Sequence, residues 1–332
     1  MLKFDLIDRK VLSELSANCR QDQSELAKKL KLGRDRIKYR IGKLRQNGVI
    51  KDFVALINSS KLGITIYKTY FRLNSDRKTV NRLLAYLDRH PRSFWVAECA
   101  GQWDLIVATF ARTPKEYSLL LDELLSAFNS CILELSVYTL TDAWYLGRGY
   151  LNGETFSRTY VGGIGDPVPV DELDFQILRY LASDARMTYT AIAEGAQCSL
   201  ATARSRVERL EELGVVAYYR VELDLAKLGR WFYKAQLYFT EHDPRREDEL
   251  RAYCESEPDI LFLIKQIGSC RLEIELEVES FETYNQTIDR LRDRFGGYIK
   301  RIDTIVIRKQ RIRGVPMDLR SVESAALVAA RA

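Results

Sequence analysis

The sequence predicts an α+β protein made of two tandem copies, each a short helical module followed by a β-α-β-β-α-β module. Residues 5–63 align without a gap to residues 171–229 at a constant offset of 166, with identical pairs such as Arg20/Arg186, Arg40/Arg206 and Gly48/Gly214, so the chain carries an internal duplication. Within each copy the apolar spacing changes from a helical period of about 3.6 to a strand period of about 2. Residues 147–169 hold six glycines and two prolines, the composition of an irregular linker between copies.

In the first copy Ile7, Val11, Leu12 and Leu15 mark one helix, Leu26, Ala27 and Leu30 a second, and Ile37, Ile41 and Leu44 the inner stripe of a third. Gly33 allows the tight turn before the third helix, and Asn47-Gly48 supplies a left-handed stop after it. Strand patterns follow at 64–74, 93–100, 104–111 and 131–142, with helical patterns at 78–90 and 114–129 between them. That order is the split βαβ, or ferredoxin-like, arrangement. After one inserted residue the second copy repeats it at offset 167, with strands near 231–240, 260–267, 271–279 and 298–308 and helices near 246–256 and 281–295. The expected units are helical modules at 1–52 and 170–218, β-rich modules at 53–146 and 219–313, the linker at 147–169 and a C-terminal tail at 314–332.

Composition narrows the function. With 332 residues, 46% hydrophobic and 29% charged, the chain is neither fibrous nor disordered. No apolar run reaches the ~20 residues of a membrane span, and the first ten residues hold two aspartates where a signal peptide needs an apolar stretch; a cytoplasmic protein without membrane contact is expected. Six scattered cysteines lack any CxxC pair, which points to reduced, packed thiols and no metal site. His90 and His242 are the two histidines, a poor supply of general bases near neutral pH. No catalytic role and no cofactor is expected.

The helical modules have the make-up of a helix-turn-helix, which buries one face of its last helix and presents the other to the DNA major groove. With Ile37, Ile41 and Leu44 inside, Arg34, Asp35, Arg36, Lys38, Tyr39 and Arg45 fall on the exposed end and flanks, and Arg40 is either a phosphate contact or a structural ion-pair partner. Residues 5–50 hold 12 basic and 6 acidic side chains, net +6; residues 171–216 hold 5 and 8, net −3. The second module is therefore the weaker reader of double-stranded DNA, with Thr202, Arg204, Ser205 and Arg206 at groove positions and glutamates interleaved.

The chain resembles the leucine-responsive/asparagine-synthesis (Lrp/AsnC, or feast/famine) family of transcription factors, in duplicated form. The resemblance is carried by Ile7-Asp8, Val11-Leu12, Arg20, Glu25-Leu26-Ala27, Arg40-Ile41, Leu44 and Gly48-Val49-Ile50, and again by Leu173-Asp174, Ile177-Leu178, Arg186, Ile192-Ala193, Arg206-Val207 and Gly214-Val215-Val216. It implies a winged-type or plain helix-turn-helix joined by a strand to a ligand-sensing, dimer-forming domain, and a sequence-specific regulator responsive to an amino acid or another small metabolite. The two copies would pair as a pseudo-dimer within the chain, with homo-oligomers beyond that.

It also implies an effector loop between the second and third strands, here Gly101-Gln102-Trp103-Asp104, where glycine admits backbone N–H groups to a carboxylate and aspartate accepts from an ammonium. A plain hairpin turn is the competing reading. The second copy has Gly268-Ser269-Cys270-Arg271, which replaces the acid with a base. Tyr117 and Tyr284 are assigned to helix packing, and the basic strand end with Lys300, Arg301, Arg308, Lys309, Arg311 and Arg313 to a charge-guarded edge. Two alternatives stand beside the regulator: an effector-binding or assembly protein without DNA binding, and an enzyme, since the two-part architecture also resembles siroheme decarboxylases.

Overall fold

The computed structural model describes residues 4–74, 76–162 and 167–312. The first helical module consists of α1 (Leu6–Ala17), α2 (Gln23–Leu30) and α3 (Arg34–Gln46); the second of α6 (Glu172–Ser183), α7 (Tyr189–Gly195) and α8 (Leu200–Glu212). Asp5 and Asp171 open their modules with reciprocal capping boxes to Asp8 and Asp174, which satisfy first-turn N–H groups. Gly48 and Gly214 take φ values of +65° and +68° after the third helices, as the stop signal requires. Gly33 has an ordinary φ of −69° as the N-cap of α3; the left-handed residue of that turn is Lys31, matched by Gln197 in the second copy.

The two modules share one core in which Leu12, Leu15, Ile37 and Leu44 join Leu178, Leu181, Ala203 and Leu210. Each third helix runs into a strand, β1 (Ile50–Ile57) or β7 (Val216–Leu223), and these pair antiparallel as a two-stranded ribbon. Sequence periodicity missed both strands. Their backbone partners lie in the other copy, and Ile50–Ile57 is buried along most of its length on both faces, so it shows no alternation.

The first sheet is formed by β2 (Thr65–Leu73), β3 (Ser93–Gly101), β4 (Leu105–Ala111) and β5 (Ile132–Tyr145), covered by α4 (Arg77–Arg89) and α5 (Pro114–Phe128). The second has β8 (Trp231–Phe239), β9 (Ile260–Ile267), β10 (Leu272–Val278) and β11 (Ile299–Ile312), with α9 (Pro244–Ser256) and α10 (Phe281–Phe295). These are the expected elements, with bounds shifted by a few residues at most. Each fourth strand is long enough to leave its own sheet and join the other: β5 pairs with β2 and then β9, while β11 pairs with β8 and then β3. Eight strands thus close into a ring in the order β2-β4-β3-β11-β8-β10-β9-β5 and back to β2.

The segment between copies departs from the expected irregular linker. A 3-10 turn, Gly149–Leu151, is followed by β6 (Arg158–Val161), which extends the sheet beside β5. Arg148 of this segment is buried and bonded through Nε and Nη2 to Glu277 at 2.8 and 3.0 Å. The tail at 314–332 and Arg313 lie outside the described residues. All six cysteines are free thiols, five of them buried, and burial pushes Cys19 and Cys99 up to about 12. Among the described residues no helix is long and apolar enough to cross a membrane, and no group of three or more His, Cys, Asp or Glu side chains could hold a metal ion.

Candidate nucleic-acid interface and effector loop

Because Ile37, Ile41 and Leu44 point into the shared core, the remaining face of α3 is turned outward. Arg34, Asp35, Arg36, Lys38, Tyr39, Lys43 and Arg45 are all exposed, and Tyr39 stands 67% accessible. A shallow groove on this face is lined by Asp35, Lys38, Tyr39, Gly42, Lys43, Gln46 and Asn47. Lys43 was not singled out from the sequence, although it lies one turn beyond Tyr39 on the same face. The N-cap Gly33 offers no side chain to the first-turn N–H groups of α3, which leaves a helix N-terminus of the kind that receives phosphate. Arg45 turns aside, its guanidinium 5.4 Å from the Phe53 ring centre on the ribbon.

Arg40 is drawn back toward α1, its Nη1 lying 2.8 Å from Asp5 and 2.6 Å from Asp8. Hydrogen bonding to the Asp8 amide, helped by Arg40, holds the Asp5 carboxyl below its usual range. Arg206 repeats the arrangement at 2.7 Å from Asp171 and 3.1 Å from Asp174. The rest of α8 also spends its charge internally: Arg204 pairs with Glu208 at 2.8 Å, and Arg209 with the buried Asp174 at 2.9 Å. Thr202 donates its backbone N–H to the Ser199 cap and shares a hydroxyl hydrogen bond with it at 2.8 Å. Ser205 is exposed beside Arg204.

The loop Gly101–Asp104 is a tight turn between β3 and β4 packed against the second copy. Gly101 has φ +118°, and a Cβ there would lie 2.9 Å from the Thr304 carbonyl oxygen of β11, so only glycine permits this approach. Asp104 accepts the Leu73 N–H at 2.9 Å. Trp103 is buried with its indole N–H unpartnered, whereas Gln102 is exposed. In the second copy Ser269 shares a hydrogen bond with Tyr138 at 2.9 Å and Arg271 donates to Glu247 at 2.9 Å.

Tyr117 stacks on Tyr67 and meets the Thr69 hydroxyl at 2.6 Å; Tyr284 stacks on Tyr233 and meets that of Thr304 at 2.7 Å. Both tie a helix to its sheet. Along the basic strand end Lys300, Arg301, Arg308, Lys309 and Arg311 are exposed; Arg301 pairs with Asp303, Lys309 with Glu98 and Arg311 with Asp88.

Comparison with known proteins agrees with this architecture. The winged helix-turn-helix DNA-binding family matches twice, at residues 4–51 and 170–217. An uncharacterized HTH-type transcriptional regulator of Pyrococcus horikoshii is 33% identical over 115 residues, which are 34% of this chain and 77% of that protein. A proline dehydrogenase transcriptional activator of Rhodobacter capsulatus is 33% identical over 130 residues, 37% of this chain and 82% of the relative. Among solved structures, the siroheme decarboxylase NirDL shares the fold over 98% of this chain and 99% of its own, with a TM-score of 0.63 and 12% identity.

The fold and these relatives make the chain a DNA-binding transcriptional regulator with its helix-turn-helix and ferredoxin-like units duplicated. The chain belongs to the Lrp/AsnC family of helix-turn-helix regulators.

Proposed function

We propose that α3 is the principal DNA reader and that α8 contributes little to base recognition. The observation that carries this reading is the difference in free charge. None of Arg34, Arg36, Lys38 and Lys43 makes an ion pair or hydrogen bond with another described side chain, whereas Arg204, Arg206 and Arg209 are all paired. Arg34, Arg36 and Lys38, with Asp35 and Tyr39 beside them, enter the major groove; the uncapped N-terminus of α3 and Lys43 take phosphates. Arg40 and Arg206 act by fixing the third helix to the first, and Thr202 by engaging the Ser199 N-cap. Selection of genomic fragments by the purified chain across a salt series tests this. Enrichment of a short motif whose affinity falls steeply with salt is expected, and its absence at low salt would overturn the reading.

An effector of amino-acid type at Gly101, Gln102, Trp103 and Asp104 is the second part of the proposal. The backbone of Gly101 meets the second copy's β11 at this loop, beside the exposed Asp104 carboxylate, so a ligand there would bear on how the sheets pack and how the reading heads are spaced. The altered second loop argues for one such site per chain. Further association of whole chains follows the same reading, as does a regulator that does no chemistry. His90 lies at the end of α4 against Tyr86, and His242 is exposed between β8 and α9. The fold shared with a siroheme decarboxylase is the observation that favours the enzymatic reading, and a Soret band on adding a haem-like compound to the purified chain would support it.

A further inference from the structure

The β1–β7 ribbon lies across the strand ring and bounds a partly open cavity of about 110 Å³, a little below the ~150 Å³ of an apolar cavity that admits a benzene ring. Several residues around it are related by the duplication, and four such pairs differ in the same sense. On the ribbon Val54 corresponds to Arg220 and Leu56 to Glu222; on the sheets Ala108 of β4 corresponds to Glu275 of β10 and Phe110 to Glu277. The charges of the lining therefore gather on the second copy's side, beside its Phe232, Leu261, Phe262 and Ile264, while the first copy contributes one charged residue, Lys68. Phe94 and Trp95 continue the apolar side.

The charged groups are balanced, and two of them, Arg220 and Glu222, are incompletely hydrogen-bonded. Glu277 is held by Arg148 and Tyr150, and Glu275 by Lys234 at 2.8 Å. Lys68 and Lys234 share the buried Glu273 at 2.7 and 3.2 Å. Arg220 is 4% exposed; its Nη2 lies 3.0 Å from Glu222, yet its Nε and Nη1 donors have no acceptor. Buried donors are rarely left bare, and these belong to a residue that lines the cavity.

We propose that this cavity is a ligand site for a small amphipathic molecule of zero net charge, its acceptor oxygen on Arg220 and its aromatic or branched body against the first copy's wall. Zero net charge follows from the count of lining and neighbouring groups: Lys68, Arg148, Arg220 and Lys234 are matched by Glu222, Glu273, Glu275 and Glu277. A free anion would leave one buried negative charge without a partner. The site lies apart from the Gly101–Asp104 loop and goes beyond the reading proposed above.

Calorimetric titration of the full chain, without DNA, with phenylacetamide, phenylalanine and phenylacetate tests it. These probes share one apolar body and differ in charge, being neutral, zwitterionic and anionic. Binding of phenylacetamide or phenylalanine at least tenfold tighter than phenylacetate is expected, with a tenfold or greater loss in Arg220→Met. Ala108→Val, a milder change that narrows the apolar wall, should also weaken binding. Binding of none of the three, preference for phenylacetate, or affinity unchanged in both variants would overturn the proposal. As no DNA is present, either result leaves the assignment of α3 to be judged separately.

Discussion

The two recognition helices hold equivalent places, α3 at Arg34–Gln46 and α8 at Leu200–Glu212, and each is anchored by an arginine reaching back to a capping-box aspartate pair. Beyond that anchor they part. The basic side chains of α3 face solvent without acidic partners, while those of α8 are tied to Glu208, Asp171 and Asp174. The inner strands repeat the contrast, since Ile106, Ala108 and Phe110 of β4 stand where β10 has Glu273, Glu275 and Glu277. Residues kept in both copies join the halves, whereas residues that differ give each half its own surface. In a dimer of identical chains a substitution changes both halves at once; duplication within one chain removes that constraint.

The largest expected effect tests the one-sided centre. Glu273 is wholly buried and serves two lysines, Lys68 and Lys234, that are equivalent in the two copies. Glu273→Gln leaves the Lys68 ammonium without an ion-pair partner and Lys234 with Glu275 alone, and should lower unfolding free energy in denaturant titrations by about 3–5 kcal/mol. The same carboxylate predicts a pH dependence. Burial raises its pKa, but Lys234 and Lys68 outweigh that and hold it below its ordinary 4.5 in the folded chain. Its contribution is therefore complete above about pH 4.5 and declines as the solution is acidified below that value. The Gln variant should show a flatter acid limb, and an unchanged limb would remove Glu273 from this role.

The comparison between α3 and α8 is tested by DNA affinity at fixed salt. Arg36→Ala with Lys38→Ala should weaken binding at least about tenfold, because a side chain bonded to a base edge is worth roughly 1–3 kcal/mol. Arg204→Ala should change it by less than about threefold, because that side chain is already paired with Glu208 on the surface. Arg204 is a cleaner probe than Arg206, whose removal would also deprive the buried Asp174 of a partner. Equal losses in the two helices would break the assignment of a principal reader.

What was legible in the sequence follows from how local each signal is. The three-helix modules and the β-α-β-β-α-β order could be read because helical stripes such as Val80, Leu83, Leu84 and Leu87 and the strand runs around them are set by one element against one sheet. The strands at 50–57 and 216–223 were not, since each finds its backbone partner in the other copy. Nor was β6, whose place beside β5 is decided by tertiary pairing within a glycine-rich segment. The exposed cluster Arg34, Arg36, Lys38 was visible as charge outside an apolar stripe. Arg220 carried no comparable mark, as its meaning depends on its place beside Val54 on the ribbon, over a cavity that no single stretch of sequence describes.

A last expected effect probes what the two halves keep in common. Arg20 donates to the Ala185 and Met187 carbonyls at 2.6 and 2.9 Å, and Arg186 donates to that of Cys19 at 2.6 Å. The adjoining backbone bonds are reciprocal too, from Cys19 N–H to Tyr219 and from Ala185 N–H to Phe53. The two arginines are thus equivalent struts of one joint, although Arg20 serves one more carbonyl. Arg20→Ala and Arg186→Ala should each destabilise the chain by about 1–3 kcal/mol, the cost of leaving inward-facing carbonyls without donors. Arg20→Ala should lie toward the upper end of that range. Because both act on the same joint, the double variant should lose less than the sum of the single losses. Strict additivity in denaturant titrations would mean that the two struts do not act on a common interface, and that the helical modules are held together chiefly by their shared apolar core.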